Sequence, residues 1–162
     1  MTSERIGTFG YNALDIAEYI ILYEDKQGHL MNNLKLQKIL YFLQAEFVVA
    51  YNMTLFDEDI IAWDFGPVVK SVYFNYNIFG SASIFLNKSK CRRAYIEVEH
   101  KETINAILEQ VRPYSSTQLV QICHNQAPWK NGYIRWNQVI SPYELRDYFN
   151  ITMDRIPTLQ QA

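Results

Sequence analysis

The chain has only two cysteines, Cys91 and Cys123, among its 162 residues. That is too few for a disulfide framework and suits a reducing compartment. A surplus of positive charge is also missing: 15 Lys and Arg stand against 17 Asp and Glu, a formal net charge of -2. Coating nucleic acid takes many unbalanced cations to displace counterions from phosphate, so a dedicated nucleic-acid coat is disfavoured. No apolar run approaches the roughly 18 residues of a spanning helix, and the start, Met1-Thr2-Ser3-Glu4-Arg5-Ile6-Gly7, has no apolar signal core. The expectation is a soluble, cytoplasmic protein with no membrane association.

Signatures of chemistry are equally scarce. Neither G-x-x-x-x-G-K-[ST] nor G-x-G-x-x-G occurs, so nucleotide binding has no support. Asp57-Glu58-Asp59 could suggest a hard-cation site, but it lacks the turn glycine and closing glutamate of a calcium loop and reads as a solvated helix or turn start. Cys123 and His124 are adjacent, and neighbours on a helix diverge by about 100°, so they cannot work as a nucleophile and base. Neither catalytic residues nor a metal nor any cofactor is expected, and the protein is not read as an enzyme.

What the chain does have is aromatic residues: 12 Tyr, 9 Phe and 3 Trp. Tyrosine can face a core and a wet contact surface at once, which permits a partner-binding protein. With 49% hydrophobic and 20% charged residues the composition is that of a globular chain. Its length suits one domain that buries roughly 70% of the surface exposed when unfolded.

The longest periodic stretch runs from Leu34 to Tyr51. Leu36, Leu40, Leu43 and Phe47 form a stripe, and Ile39, Phe42, Val48, Val49 and Ala50 add apolar surface on its flanks, so this helix must be covered on several sides. Gln37 and Gln44, seven residues apart, make its single polar seam. Glutamine is usually exposed, which makes solvent the default for both. The alternative is that they hydrogen-bond the backbone of a segment packed on the helix, as a buried amide must; the segment from Trp63 to Pro67 is expected there.

Around this centre, a short polar leader precedes a helix from Ala13 to Asp25, entered at Asn12 and stopped by Gly28. Asn32 or Asn33 caps the central helix. Residues 60–65 read as a strand, and Gly66-Pro67 as a helix start with Pro at its first position. Residues 84–86 and 94–98 read as short strands about a turn at 87–90. Helices follow over 101–112 and, capped by Ser115 or Ser116, over 117–125. Residues 126–132 read as a turn-rich segment and 133–140 as a loop. Ser141-Pro142-Tyr143-Glu144 has the form of a capping box opening a last helix. The expected architecture is mainly α: one compact domain over 1–150 around the buried helix at about 34–51, with a small β element at about 60–65 and 84–98. Residues 151–162 are expected to form a flexible tail. Lys88, Lys90, Arg92 and Arg93 are the one basic cluster, read first as a solvated loop and second as a nucleic-acid or acidic-partner contact.

Several blocks, in order, resemble one family. They are Leu34-Lys35-Leu36-Gln37-Lys38-Ile39-Leu40-Tyr41-Phe42 with Gln44; Leu55-Phe56; Ala62-Trp63-Asp64-Phe65-Gly66-Pro67-Val68-Val69 with Val72-Tyr73; His124; Pro128-Trp129-Lys130; and Ile140-Ser141 before Tyr148-Phe149. Together they look like the Panacea domain, the SocA-like antitoxin family that is also met among phage-associated proteins. Two positions depart from its pattern: Phe65 stands where Tyr is expected, and one extra residue separates His124 from Pro128.

The resemblance implies a mainly helical domain with a small β element. It implies an antitoxin that neutralises a cognate toxin, encoded next to it, by direct protein contact, with no cofactor. The matching positions, and hence the candidate partner-binding residues, are Gln37, Gln44, Trp63, Asp64, Gly66, Pro67, His124 and Trp129. Two other readings stay open: a proteolytic adaptor or phage-associated regulatory partner, and a DNA-binding autoregulator using the basic cluster. Homo-oligomer formation is left open as well.

Overall fold

The computed structural model describes residues 4–151 and Ile156. Its elements in chain order are β1 (Gly7–Tyr11), α1 (Ala13–Lys26), α2 (Asn33–Tyr51), β2 (Met53–Phe56), β3 (Ile60–Trp63), β4 (Gly66–Val68), α3 (Lys70–Tyr76), α4 (Val98–Val111), α5 (Ser116–His124), α6 (Ala127–Tyr133), β5 (Val139–Ile140) and α7 (Pro142–Ile151). The fold is mainly α with a small β element. Among the described residues, no helix is long and apolar enough to cross a membrane. The expected tail at 151–162 lies outside the described residues except for the helical Ile151 and the buried Ile156.

Local sequence explains most helix ends. The Asn12 side chain accepts from Leu14 N to open α1, and the Glu58 carboxylate accepts from Ala13 N, so one acid of the 57–59 run sits at the positive end of that helix. The α1 terminus is a Schellman motif: Gly28 takes φ 85°, its amide bonds Asp25 O, and His29 N bonds Glu24 O. Asn32 caps α2 through Lys35 N. Ser115 and Gln118 form a capping box at α5, and Ser141 with Glu144 does the same at α7.

α2 is the centre of the molecule. Every residue from Leu36 to Ala45 is buried, which covers more than two turns of helix on all sides. α4, α5 and α7 pack on it, and β2 and β4 cross it. The strands form two small sheets, a parallel pair β1-β2 and an antiparallel sheet in the order β4-β3-β5.

Four expectations are corrected. Residues 84–86 and 94–98 form no strands: apart from a 3-10 turn at Lys88–Lys90, residues 84–97 are an irregular strap, with Ile84 and Ile96 buried as its two anchors. Its backbone amides bond other elements: Ile84 N donates to Met31 O, and Arg92 N and Arg93 N donate to the Glu18 carboxylate on α1. Gly66-Pro67 opens a strand, and the helix begins only at Lys70, because α2 holds the intervening backbone extended. The segment read as turns over 126–132 is helix α6 from Ala127 onward, with Gln126 as its N-cap; the helix tolerates Pro128 in its first turn, where a missing amide is harmless. The polar leader contains β1, whose partner β2 lies more than forty residues away in sequence.

Candidate functional site

The two glutamines of α2 are buried, and the default of solvent exposure is overturned for both. Gln44 Oε1 accepts from Leu55 N at 2.8 Å while its Nε2 donates to Phe56 O at 2.9 Å. Gln37 Oε1 accepts from Val69 N at 2.8 Å, and its Nε2 donates to Asn33 Oδ1. Each amide thus stands where a neighbouring strand would otherwise stand, Gln44 beside β2 and Gln37 just beyond β4. This satisfies backbone groups that burial would leave unpaired. The Trp63 to Pro67 segment lies at the Gln37 end of the seam; Gln44 serves β2 instead.

Lys38, next to Gln37, was not among the residues expected to matter. It is fully buried, and its ammonium donates to Pro67 O at 2.9 Å. Burial lowers its pKa from 10.5 to about 8, and the same environment pushes the Cys123 thiol up to about 12. Gly66 is required above it. Its φ is 102°, and a Cβ there would lie 2.6 Å from Lys38 Cε.

These contacts belong to one feature, the hairpin formed by β3, the turn Asp64-Phe65 and β4. From the other side, Trp129 Nε1 donates to Trp63 O at 2.8 Å. His124 Nε2 donates to Asp64 O at 2.8 Å, which places a proton on that nitrogen. The Tyr133 hydroxyl donates to Asp64 Oδ1 at 2.6 Å, and this bond raises the phenol's pKa. His124 packs tilted on Trp129, which stacks on Tyr133, with ring centres 4.1 and 4.8 Å apart. Trp129 and Tyr133 are four residues apart on α6 and so share a face. That spacing was a usable signal for Tyr133, hidden because the segment was read as turns.

The structure therefore brings Gln37, Trp63, Asp64, Gly66, Pro67, His124 and Trp129 together around one hairpin, with Lys38 and Tyr133 added. Gln44 stands apart. The hairpin is clamped from beneath by α2, α5 and α6, yet its tip residue Phe65 is 69% exposed. Phe74 and Ile78 are exposed on the neighbouring α3 and the turn that follows it. Beside the tip is an open cleft of about 540 Å³, walled by Trp63, Phe65 and Tyr73 and reached also by Lys38, Asp64 and Gln138.

The basic cluster lies elsewhere. Lys88 pairs with Asp25 at 2.7 Å and Arg92 with Asp15 at 3.4 Å, while the Arg93 guanidinium donates to Lys88 O. These cations fasten the strap to the acidic side of α1. Lys90 sits in the 3-10 turn.

No curated protein and no solved structure matches the chain. A family model described as "Antitoxin SocA-like, Panacea domain" matches residues 36–130, more than half of the length, and spans α2, the clamped hairpin, His124 and Trp129. The chain belongs to the SocA-like antitoxin family, and the matched span holds the hairpin and every side chain of its clamp except Tyr133.

Proposed function

We propose that the protein is an antitoxin that neutralises a cognate toxin, encoded by an adjacent gene, by binding it directly, and that the clamped hairpin is the centre of the contact. One observation carries this reading. Five side chains, Gln37, Lys38, His124, Trp129 and Tyr133, hold the hairpin, and the fold nevertheless leaves Phe65 at its tip in water. An exposed aromatic on a rigid support loses little entropy on docking, which is the property of a binding anchor. In this reading Trp63, Asp64 and Phe65 touch the toxin. Gln37, Gly66, Pro67, His124 and Trp129 act through the backbone they hold or form, and Gln44 acts through β2.

The test is growth of cells expressing the adjacent open reading frame with and without this protein. Rescue by the wild type is expected. Phe65→Asp should abolish rescue while shifting stability by no more than about 0.5 kcal/mol, as surface changes do. If no neighbouring gene is toxic alone and rescued by this protein, the reading is abandoned.

A further inference from the structure

The cleft beside the hairpin has aromatic walls. Trp63 and Tyr73 meet with ring centres 5.1 Å apart and planes at 80°, and Phe74 packs edge-on against both, at 6.0 and 5.3 Å. Trp63 and Tyr73 both line the cleft and are only half-buried, and a ring face carries the negative lobe of the quadrupole. A cation within about 6 Å of such a face is attracted to it, more strongly as water is excluded.

Charge points the same way. Among the described residues, two charged side chains border the cleft, Lys38 and Asp64. Lys38 is sealed beneath Gly66 with its ammonium on Pro67 O. Asp64 is exposed, and only its Oδ1 is engaged, by Tyr133; Oδ2 has no partner among the described residues. The charge that the cleft offers to solvent is thus a carboxylate held in place beside aromatic rings. Asn77, Ser81 and Gln138, also on its border, are neutral.

We propose that this cleft binds a cationic side chain, arginine or lysine, presented by the protein's partner. That the donor is the toxin rests on the function proposed above; the chemistry of the cleft does not. Arginine fits best, since a planar guanidinium stacks on a ring while donating a charge-assisted hydrogen bond to Asp64 Oδ2. A volume of about 540 Å³ accepts one long side chain together with its flanking backbone.

The test is an NMR titration of the full chain with Nα-acetyl-arginine methylamide and with its neutral isostere, Nα-acetyl-citrulline methylamide. The indole N–H signals are read, that of Trp63 being identified by Trp63→Phe. The arginine derivative should shift the Trp63 signal saturably, with the citrulline derivative at least ten-fold weaker. Asp64→Asn, which keeps an acceptor for Tyr133, should reduce arginine to the citrulline level and leave the Trp129 signal in place. Equal binding of the two probes, unchanged affinity in Asp64→Asn, or no response at Trp63 would overturn the proposal. Toxin rescue that Asp64→Asn leaves intact would overturn the assignment of the guest to the toxin. Arginine selectivity without any rescue would support the site and remove the toxin as its source.

Discussion

Lys38 is an ammonium enclosed by the core, with one acceptor bonded to it, Pro67 O. Its pKa is about 8 in the fold and 10.5 in its ordinary state, so between these values the unfolded chain binds more protons than the folded one. Stability from this group is therefore lowest below pH 8 and rises as pH climbs toward 10.5, by on the order of 3 kcal/mol in total. Urea unfolding of wild type and Lys38→Met across pH 7 to 10.5 checks this. The wild type should gain stability relative to the variant, and parallel profiles would refute a buried charge at Lys38. Gly66 is constrained twice, by a φ of 102° and by Lys38 Cε, so Gly66→Ala should cost more than about 1 kcal/mol. Equilibrium unfolding measures that, and a neutral result would mean that Lys38 is not packed against Gly66. Phe65 at the tip is the opposite kind of residue, exposed and free to change without strain.

At the scale of elements, α2 is a helix that replaces strands. Its amides at Gln37 and Gln44 and the ammonium of Lys38 occupy backbone groups of β2, β4 and Val69 that a longer sheet would have paired. Both sheets can therefore stay small while buried against α2. Gln44→Leu keeps the apolar contacts but leaves Leu55 N and Phe56 O unsatisfied, each at about 1–3 kcal/mol. The expected result is a loss of stability of about 2–6 kcal/mol for the two groups together, with faster amide exchange at Leu55 than at Ile60 on the next strand. Unchanged exchange at Leu55 would argue that the amide is not its partner. The same logic explains the late start of α3: α2 takes the carbonyl of Pro67 and the amide of Val69, and a helix cannot begin until Lys70.

At the scale of the molecule, the strap over residues 84–97 is joined to α1 chiefly by charge. Glu18 accepts two successive amides, from Arg92 and Arg93, while Asp15 and Asp25 pair with Arg92 and Lys88. Exposed pairs are screened by salt and contribute little individually, so the strap should open locally without unfolding the core. Glu18→Ala should raise amide exchange at Arg92 and Arg93, with a further rise in salt, while leaving the helix α2 protected. Loss of α2 protection in the same variant would show that the strap is part of the global folding unit. The hairpin face and the strap thus differ in construction: the hairpin is held from the core, while the strap enters the core only near its ends, at Ile84 and Ile96, and is latched by charge at the surface between them.

The α2 helix, its length and its burial on all sides were legible in the chain, because an apolar stripe with apolar flanks has no other stable placement in water. Helix entries were legible too, at Asn12 and Ser141 and to within one residue at Asn32 or Asn33 and at Ser115 or Ser116, since each cap is satisfied within a few residues; the structure selects Asn32 and Ser115. The family resemblance likewise pointed to Gln37, Trp63, Asp64, Gly66, Pro67, His124 and Trp129, which the fold gathers about one hairpin. What residues 84–98 would do was not legible: their β-rich pattern was genuine, but the amides found a carboxylate on α1 in place of a second strand. The leader strand β1 depended on a distant partner in the same way. Lys38 emerged only in three dimensions, because a lysine in an apolar helix carries no local mark of the carbonyl it meets, while the i, i+4 spacing of Trp129 and Tyr133 was legible only once residues 127–133 were known to be helical. Local chemistry determined where the side-chain-capped helices begin and how apolar they are; long-range pairing of backbone polar groups decided where α3 starts, which segments became strands and how the hairpin is held.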